Sequence, residues 1–260
     1  MAELKVKFHY EHGTADTGRL DLYDASVALS GIARATSIVT HAFLNGEVRT
    51  HGDAAQGAKF YINTPKRGSF TYEAVIWLAG TISGGVFYDF LKHSFNETVG
   101  KLNQNDPSPA LAKRIEPTIA ELPAALESPL SDLHRPIRKE PVMTLEIARP
   151  RGETLASFDS DTALYLLPET VPAPHPIFGN VTKYNNLTGW GRLFDRLEGR
   201  TVSFNISLKS PENQRELITW SQHENNQRRE GLLYLKADAV INPTGAIKRY
   251  IVKEVSQQPF

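Results

Sequence analysis

From Leu4 to Tyr10 apolar and polar positions alternate: Leu4, Val6, Phe8 and Tyr10 share one side, Lys5, Lys7 and His9 the other. That period of two predicts a half-buried strand. A turn over 13–18 and a short strand at 19–22 follow. The period then lengthens to three and four. Leu22, Ala25, Leu29, Ile32, Thr36, Val39 and Phe43 form one stripe, and Ala28, Gly31, Ala35, Ile38 and Ala42 a second beside it. Asp21 and Asp24 at the start and Asn45-Gly46 at the end are helix-capping signals. Between Asp24 and Glu47 the only formal charge is Arg34, which predicts a helix buried nearly all round. Alternation returns over 58–64 and 70–78, a hairpin turning at Pro65-Lys66-Arg67-Gly68.

The uncharged stretch 74–88, AVIWLAGTISGGVFY, admits several readings. It falls short of the ~20 apolar residues that cross a bilayer, and Glu73 and Asp89 bracket it, which argues against a membrane span. Its glycines satisfy neither the phosphate-loop nor the dinucleotide pattern. It divides best into a strand ending near Leu78 and a helix beginning after Gly80. In that helix small residues four apart invite another backbone to approach. The N-terminal order is therefore ββαββα, a sheet covered by two apolar helices. About 100 residues bury two such helices poorly. Homo-oligomerisation through Ala28, Gly31, Ala35, Gly80, Gly84 and Gly85 is the resulting expectation.

Prolines punctuate the middle: seven fall between Pro107 and Pro141. They limit it to short helices at 109–115, 117–122 and 129–133, then a hairpin of 142–147 with 153–158. The PAPHP run at 172–176 reads as an extended linker. Beyond it lie strands at about 177–184, 189–197, 200–208, 232–241 and 246–255, with a helix after Ser210-Pro211. This βββαββ order resembles the OB-fold, a small five-stranded barrel. The expected class is α+β, divided into an α/β domain (1–103), a proline-rich connector (104–176) and an OB-like barrel (177–260).

Composition adds little until it is resolved along the chain. With 40% hydrophobic and 22% charged residues the chain is ordinarily globular. The absence of cysteine excludes disulfides and thiolate zinc sites. No basic start leads into an apolar core, so a cytoplasmic location is expected. The net charge of zero hides a difference between segments. Residues 104–176 carry seven basic and eleven acidic side chains, residues 177–260 twelve and eight. An anionic ligand, a nucleic acid or nucleotide, is therefore expected at the barrel.

OB-folds bind through their second and third strands and the loops joining strands one–two and four–five. Here those are Trp190, Arg192, Phe194, Arg196 and Ser203, with loops 185–188 and 242–245. Trp190, Arg192, Phe194 and Arg196 share a parity, hence a face. Aromatic stacking with guanidinium–phosphate contact is a standard way to hold a single strand. The competing reading has Trp190 and Phe194 filling the barrel, with Leu193 and Leu197 as a rival apolar side.

Catalytic motifs are not found: the chain has no Gly-x-Ser-x-Gly, His-Glu-x-x-His or Ser-x-x-Lys. A strand puts His9 and His12 on opposite faces, and no third ligand is indicated, so neither metal nor cofactor is expected. Asp159-Ser160-Asp161 reads as a helix cap. The leading expectation is a non-enzymatic binding and assembly protein, self-associating at one end and binding an anionic partner at the other. Alternatives are a nuclease- or phosphodiesterase-like enzyme with dispersed acidic residues, and a membrane-active effector using 74–91. The runs LDLYDASVALSGIARA, TPKRGSF and GGVFYDFLK resemble an uncharacterised group of bacterial proteins, some near phage-defence or mobile-element genes. That resemblance covers 4–102 and implies no activity or site.

Overall fold

A computed structural model of the chain describes residues 2–50, 55–63, 70–79, 84–102 and 107–260. The chain folds as two compact units, Met1–Leu166 and Leu167–Phe260. This differs from the three-part division, because the proline-rich stretch to 166 is built into the first unit instead of forming a connector.

In the first unit β1 (Ala2–Glu11) is followed by α1 (Leu22–Asn45), the hairpin β2 (Ala58–Ile62) and β3 (Phe70–Leu78), and α2 (Gly84–Thr98). Then come α3 (Pro109–Ile115), α4 (Glu121–Leu133), α5 (Arg135–Lys139), β4 (Thr144–Ala148), β5 (Thr154–Phe158) and α6 (Ser160–Tyr165). The sheet runs β2-β3-β1-β4-β5 with all neighbours antiparallel. The strand expected at 19–22 is replaced by a short 3-10 turn, Gly13–Thr17, and the entry into α1. β4 and β5 extend the sheet on its other side. The alternation of β1 is realised: Leu4, Val6, Phe8 and Tyr10 are buried in one core with Phe43, Phe87, Phe90 and Leu130.

Asp21 caps α1, its carboxylate accepting from the backbone N–H groups of Tyr23 and Asp24, and Gly46 closes the helix in a left-handed conformation. By length and composition α1 could cross a membrane, yet 61% of its most apolar stretch is buried inside the unit. The cover comes largely from α4. A Cβ on Gly31 would lie 2.6 Å from the Pro129 carbonyl oxygen and 2.9 Å from the Leu133 nitrogen, so only glycine permits this approach. Arg34 reaches across the same contact to Asp132 at 2.9 Å.

Two expectations are corrected here. The predicted break before Pro129 does not occur, and α4 runs through that proline. A proline removes one intrahelical hydrogen bond, and burial of Leu126, Leu130 and Leu133 in the core offsets that loss. Ala28, Gly31 and Ala35 are all buried within the chain, so they are not open to a second copy. The small-domain premise fails because residues beyond 103 supply the missing layer. At the start of α2, Gly84 packs near Leu4, where a Cβ would sit 3.0 Å from Cδ2, and Gly85 is exposed. Gly80 and the hairpin tip at 65–68 lie outside the described residues.

The second unit contains β6 (Glu169–Pro172), β7 (Ile177–Asn185), β8 (Trp190–Asp195), β9 (Arg200–Ile206), α7 (Glu212–Asn226), β10 (Leu232–Ile241) and β11 (Ile247–Ser256). β7, β8 and β9 form an antiparallel meander, and β9 pairs in parallel with β11. β11 pairs antiparallel with β10, which returns to β7 and closes a five-stranded OB-like barrel, while β6 lies outside on β10. Val181, Leu193, Val202, Phe204, Leu233 and Val252 fill it, and Ile218 of α7 plugs one end. The Ser221 hydroxyl fixes that helix by donating to the Gly231 carbonyl and accepting from Val181 N–H at 2.9 Å.

Two measurements check this packing. Gly31→Ala gains ~1 kcal/mol of helix propensity but forces a backbone clash costing roughly 1–3 kcal/mol or more. A lower melting temperature is expected, whereas Ala at exposed Ser30 leaves it unchanged or higher. The second concerns His134, which is fully buried. Its Nδ1 donates to the Leu130 carbonyl at 2.6 Å, Nε2 meets the Thr162 hydroxyl at 3.0 Å, and the ring stacks on Phe158. Burial lowers its pKa from 6.5 to about 4. Between those values the unfolded chain takes up a proton that the folded one refuses. Stability is therefore full above pH 6.5 and falls as pH drops toward 4, by about 3 kcal/mol from this group. His134→Gln should flatten the pH dependence of the melting temperature across that window.

Candidate functional site

β8 is the element around which the candidate site is built. Gly191, Leu193 and Asp195 point into the barrel and are buried, while Trp190, Arg192, Phe194 and then Arg196 point outward. Three inward contacts make any other parity costly. Leu193 is fully buried in the core. Gly191 lies between its strand partners Tyr184 and Phe204, whose rings stack 6.2 Å apart across it. A Cβ there would stand 2.4 Å from the Phe204 ring. The Asp195 carboxylate, wholly buried, accepts from Tyr250 Oη at 2.7 Å and from the Leu197 and Glu198 N–H groups at 2.8 and 3.2 Å.

The four sequence-selected residues thus share the outer face, and the barrel-filling alternative for Trp190 and Phe194 does not hold. Phe194 is 42% exposed, so its ring is open to solvent. Leu197 is exposed in the turn after β8 and forms no apolar side with Leu193.

Neighbouring strands extend this face. Asn185, Lys183 and Asn180 of β7 pair opposite Trp190, Arg192 and Phe194. On the other flank Asn205, Ser203 and Thr201 of β9 pair with the same three. Arg249 of β11 lies beside Ser203. The surface therefore combines aromatic rings with cations, amides and hydroxyls. Both flanking loops are internally braced. Asn185 Oδ1 accepts from Leu187 N–H at 3.0 Å, and buried Asn242 Oδ1 accepts from the Thr244 and Ala246 N–H groups.

At one end the face deepens into a cavity of about 590 Å³ lined by Asn180, Thr182, Phe194, Arg196, Arg228 and Arg229, among others. This lies within the ~300–1,000 Å³ range of small-molecule sites. Arg196 is paired with Glu230 at 2.7 Å and Arg229 with Glu224 at 2.7 Å. The Arg228 guanidinium has no side-chain partner among the described residues. Its backbone is left-handed, φ 57°, at the position just past α7 where glycine is the usual occupant. Sequence reasoning missed Arg228 and Arg229. The Arg-Arg pair after a helix was visible, but its approach to β8 depends on barrel closure.

A second cavity, about 830 Å³, lies in the first unit between α2 and β5. Its cations are already matched: Lys92 with Glu153, and Lys101 with Asp159 and the Ser157 carbonyl. Asn96 donates to the Leu155 carbonyl at 2.9 Å. Asp159 caps α6 in a capping box, as its spacing suggested.

For metal binding, β1 separates His9 from His12 but brings His9 and Glu11 beside Glu146 of β4.

Comparison with curated proteins and with solved structures finds no match to this chain. Residues 6–102, from within β1 to just past the end of α2, match a family described as a domain of unknown function, DUF7946.

Proposed function

We propose that this protein is a non-enzymatic binding protein whose C-terminal barrel holds single-stranded nucleic acid across its outer face. The observation that carries this reading is the outward row of Trp190, Arg192 and Phe194 on β8, continued by Arg196 just beyond it, on a closed OB-like barrel. Flat rings offer stacking platforms for unpaired bases, worth roughly 1–3 kcal/mol per base. Guanidinium groups beside them bind phosphate through paired hydrogen bonds. A duplex hides its base faces, and an acidic peptide lacks them, so the alternation of ring and cation favours a single strand. The arginine-lined cavity at the end of the face supplies a further phosphate contact. The small-residue stripe of α1 is covered within the first unit and takes no part in this reading.

Fluorescence anisotropy with a labelled oligonucleotide tests this reading. Trp190→Ala and Phe194→Ala should each weaken binding by about 1–3 kcal/mol, roughly 5- to 150-fold. Arg192→Ala should lower the slope of log affinity against log salt by ~0.7, the loss of one phosphate contact on a single strand. Arg228→Gly separates function from stability. It relieves a left-handed backbone worth ~1 kcal/mol, so the melting temperature should rise while binding weakens. Unchanged affinity in the Trp190/Phe194 double variant would refute the assignment. Metal-dependent cleavage of the oligonucleotide would move the reading to the enzyme alternative.

A further inference from the structure

We propose that His9, Glu11 and Glu146 form a divalent-metal site on the polar face of the N-terminal sheet. β1 sets His9 and Glu11 two residues apart on the side away from the core, and β4 brings Glu146 directly opposite His9. One donor atom from each residue lies within 4.8 Å of the others. Metal–ligand bonds to nitrogen and carboxylate oxygen measure ~2.0–2.2 Å. Small rotations of the two flexible glutamates therefore close the set on one ion.

Two further features separate this group from an ordinary patch of charge. The Nε2 atom of His9 is shielded from solvent yet has no hydrogen-bond partner among the described residues. Its Nδ1 stands 3.4 Å from Glu11 Oε1, beyond a good hydrogen bond. The imidazole is thus held among carboxylates without its polar atoms being well satisfied. Glu146, in turn, accepts a hydrogen bond from the Thr154 hydroxyl on the adjacent strand β5. A polar neighbour that orients a ligating carboxylate is the usual companion of a metal ligand.

One imidazole with two carboxylates suits Zn²⁺, Mn²⁺ or Fe²⁺, and the lack of sulfur excludes a preference for soft ions. Three protein donors leave coordination positions for water or an anion. The competing explanation is a plain polar cluster of the His9 imidazole with the carboxylates of Glu11 on its own strand and Glu146 on the next. It requires no ion, and the experiment distinguishes the two.

The full-length chain, stripped with a chelator, is titrated with ZnCl₂ and separately with MnCl₂ by calorimetry and native mass spectrometry. One ion per chain and a raised melting temperature are expected. His9→Ala and Glu146→Gln should each weaken binding about tenfold or more, with far-UV circular dichroism unchanged. Glu146→Gln preserves side-chain shape, so it remains informative if His9→Ala unfolds. Thr154→Val should weaken binding to a lesser degree, and Glu73→Gln, on the neighbouring strand β3, should leave it intact. Absence of stoichiometric binding to the unaltered chain overturns the proposal, as does binding that survives both ligand variants. Neither result bears on the barrel, which lies in the other unit.

Discussion

The pairing of β11 with β9 is the constraint on which the candidate site depends. Without it the meander β7–β8–β9 would be an open sheet with two faces to choose between. Closure makes one face interior, and the strand period of two then assigns every second residue of β8 to solvent. The buried Asp195–Tyr250 hydrogen bond ties the end of β8 to β11 itself. Display of two aromatic rings on the outside is therefore a consequence of how the inside is filled. Gly191 and Leu193 cannot exchange places with Trp190 and Arg192 without a clash on one side and an empty volume on the other.

The first unit is organised by a different close contact. Gly31 lets α1 lie directly against the backbone of α4, and Arg34, the lone charge along most of α1, is matched by Asp132. Two helices that seemed to require a second copy are thus satisfied by residues further along the same chain. The family match ends at residue 102. The compact unit continues to Leu166 and takes from that extension α4 and the strands β4 and β5. The matched stretch is therefore only part of what must fold together here, and Glu146 comes from the part beyond it.

What the sequence revealed follows from the range of the interactions involved. Caps and periodicity are local, so α1, the 58–78 hairpin, the β4–β5 hairpin and all five barrel strands were legible. The shared face of Trp190, Arg192, Phe194 and Arg196 was legible for the same reason. Pro129 misled because local propensity disfavours it within a helix, whereas tertiary burial of α4 decides the outcome. Arg228 and Glu146 were illegible as site residues. One reaches β8 only through barrel closure. The other meets His9 through a strand pairing between positions 137 residues apart in the numbering.

The most direct measurement is photo-crosslinking of the full-length protein to a single-stranded oligonucleotide carrying halogenated pyrimidines, followed by peptide mapping. Crosslinks concentrated on Trp190 and Phe194, and lost as salt is raised, are the result this account predicts. Crosslinks confined to other surfaces, or none at concentrations where the strand is bound, would contradict it.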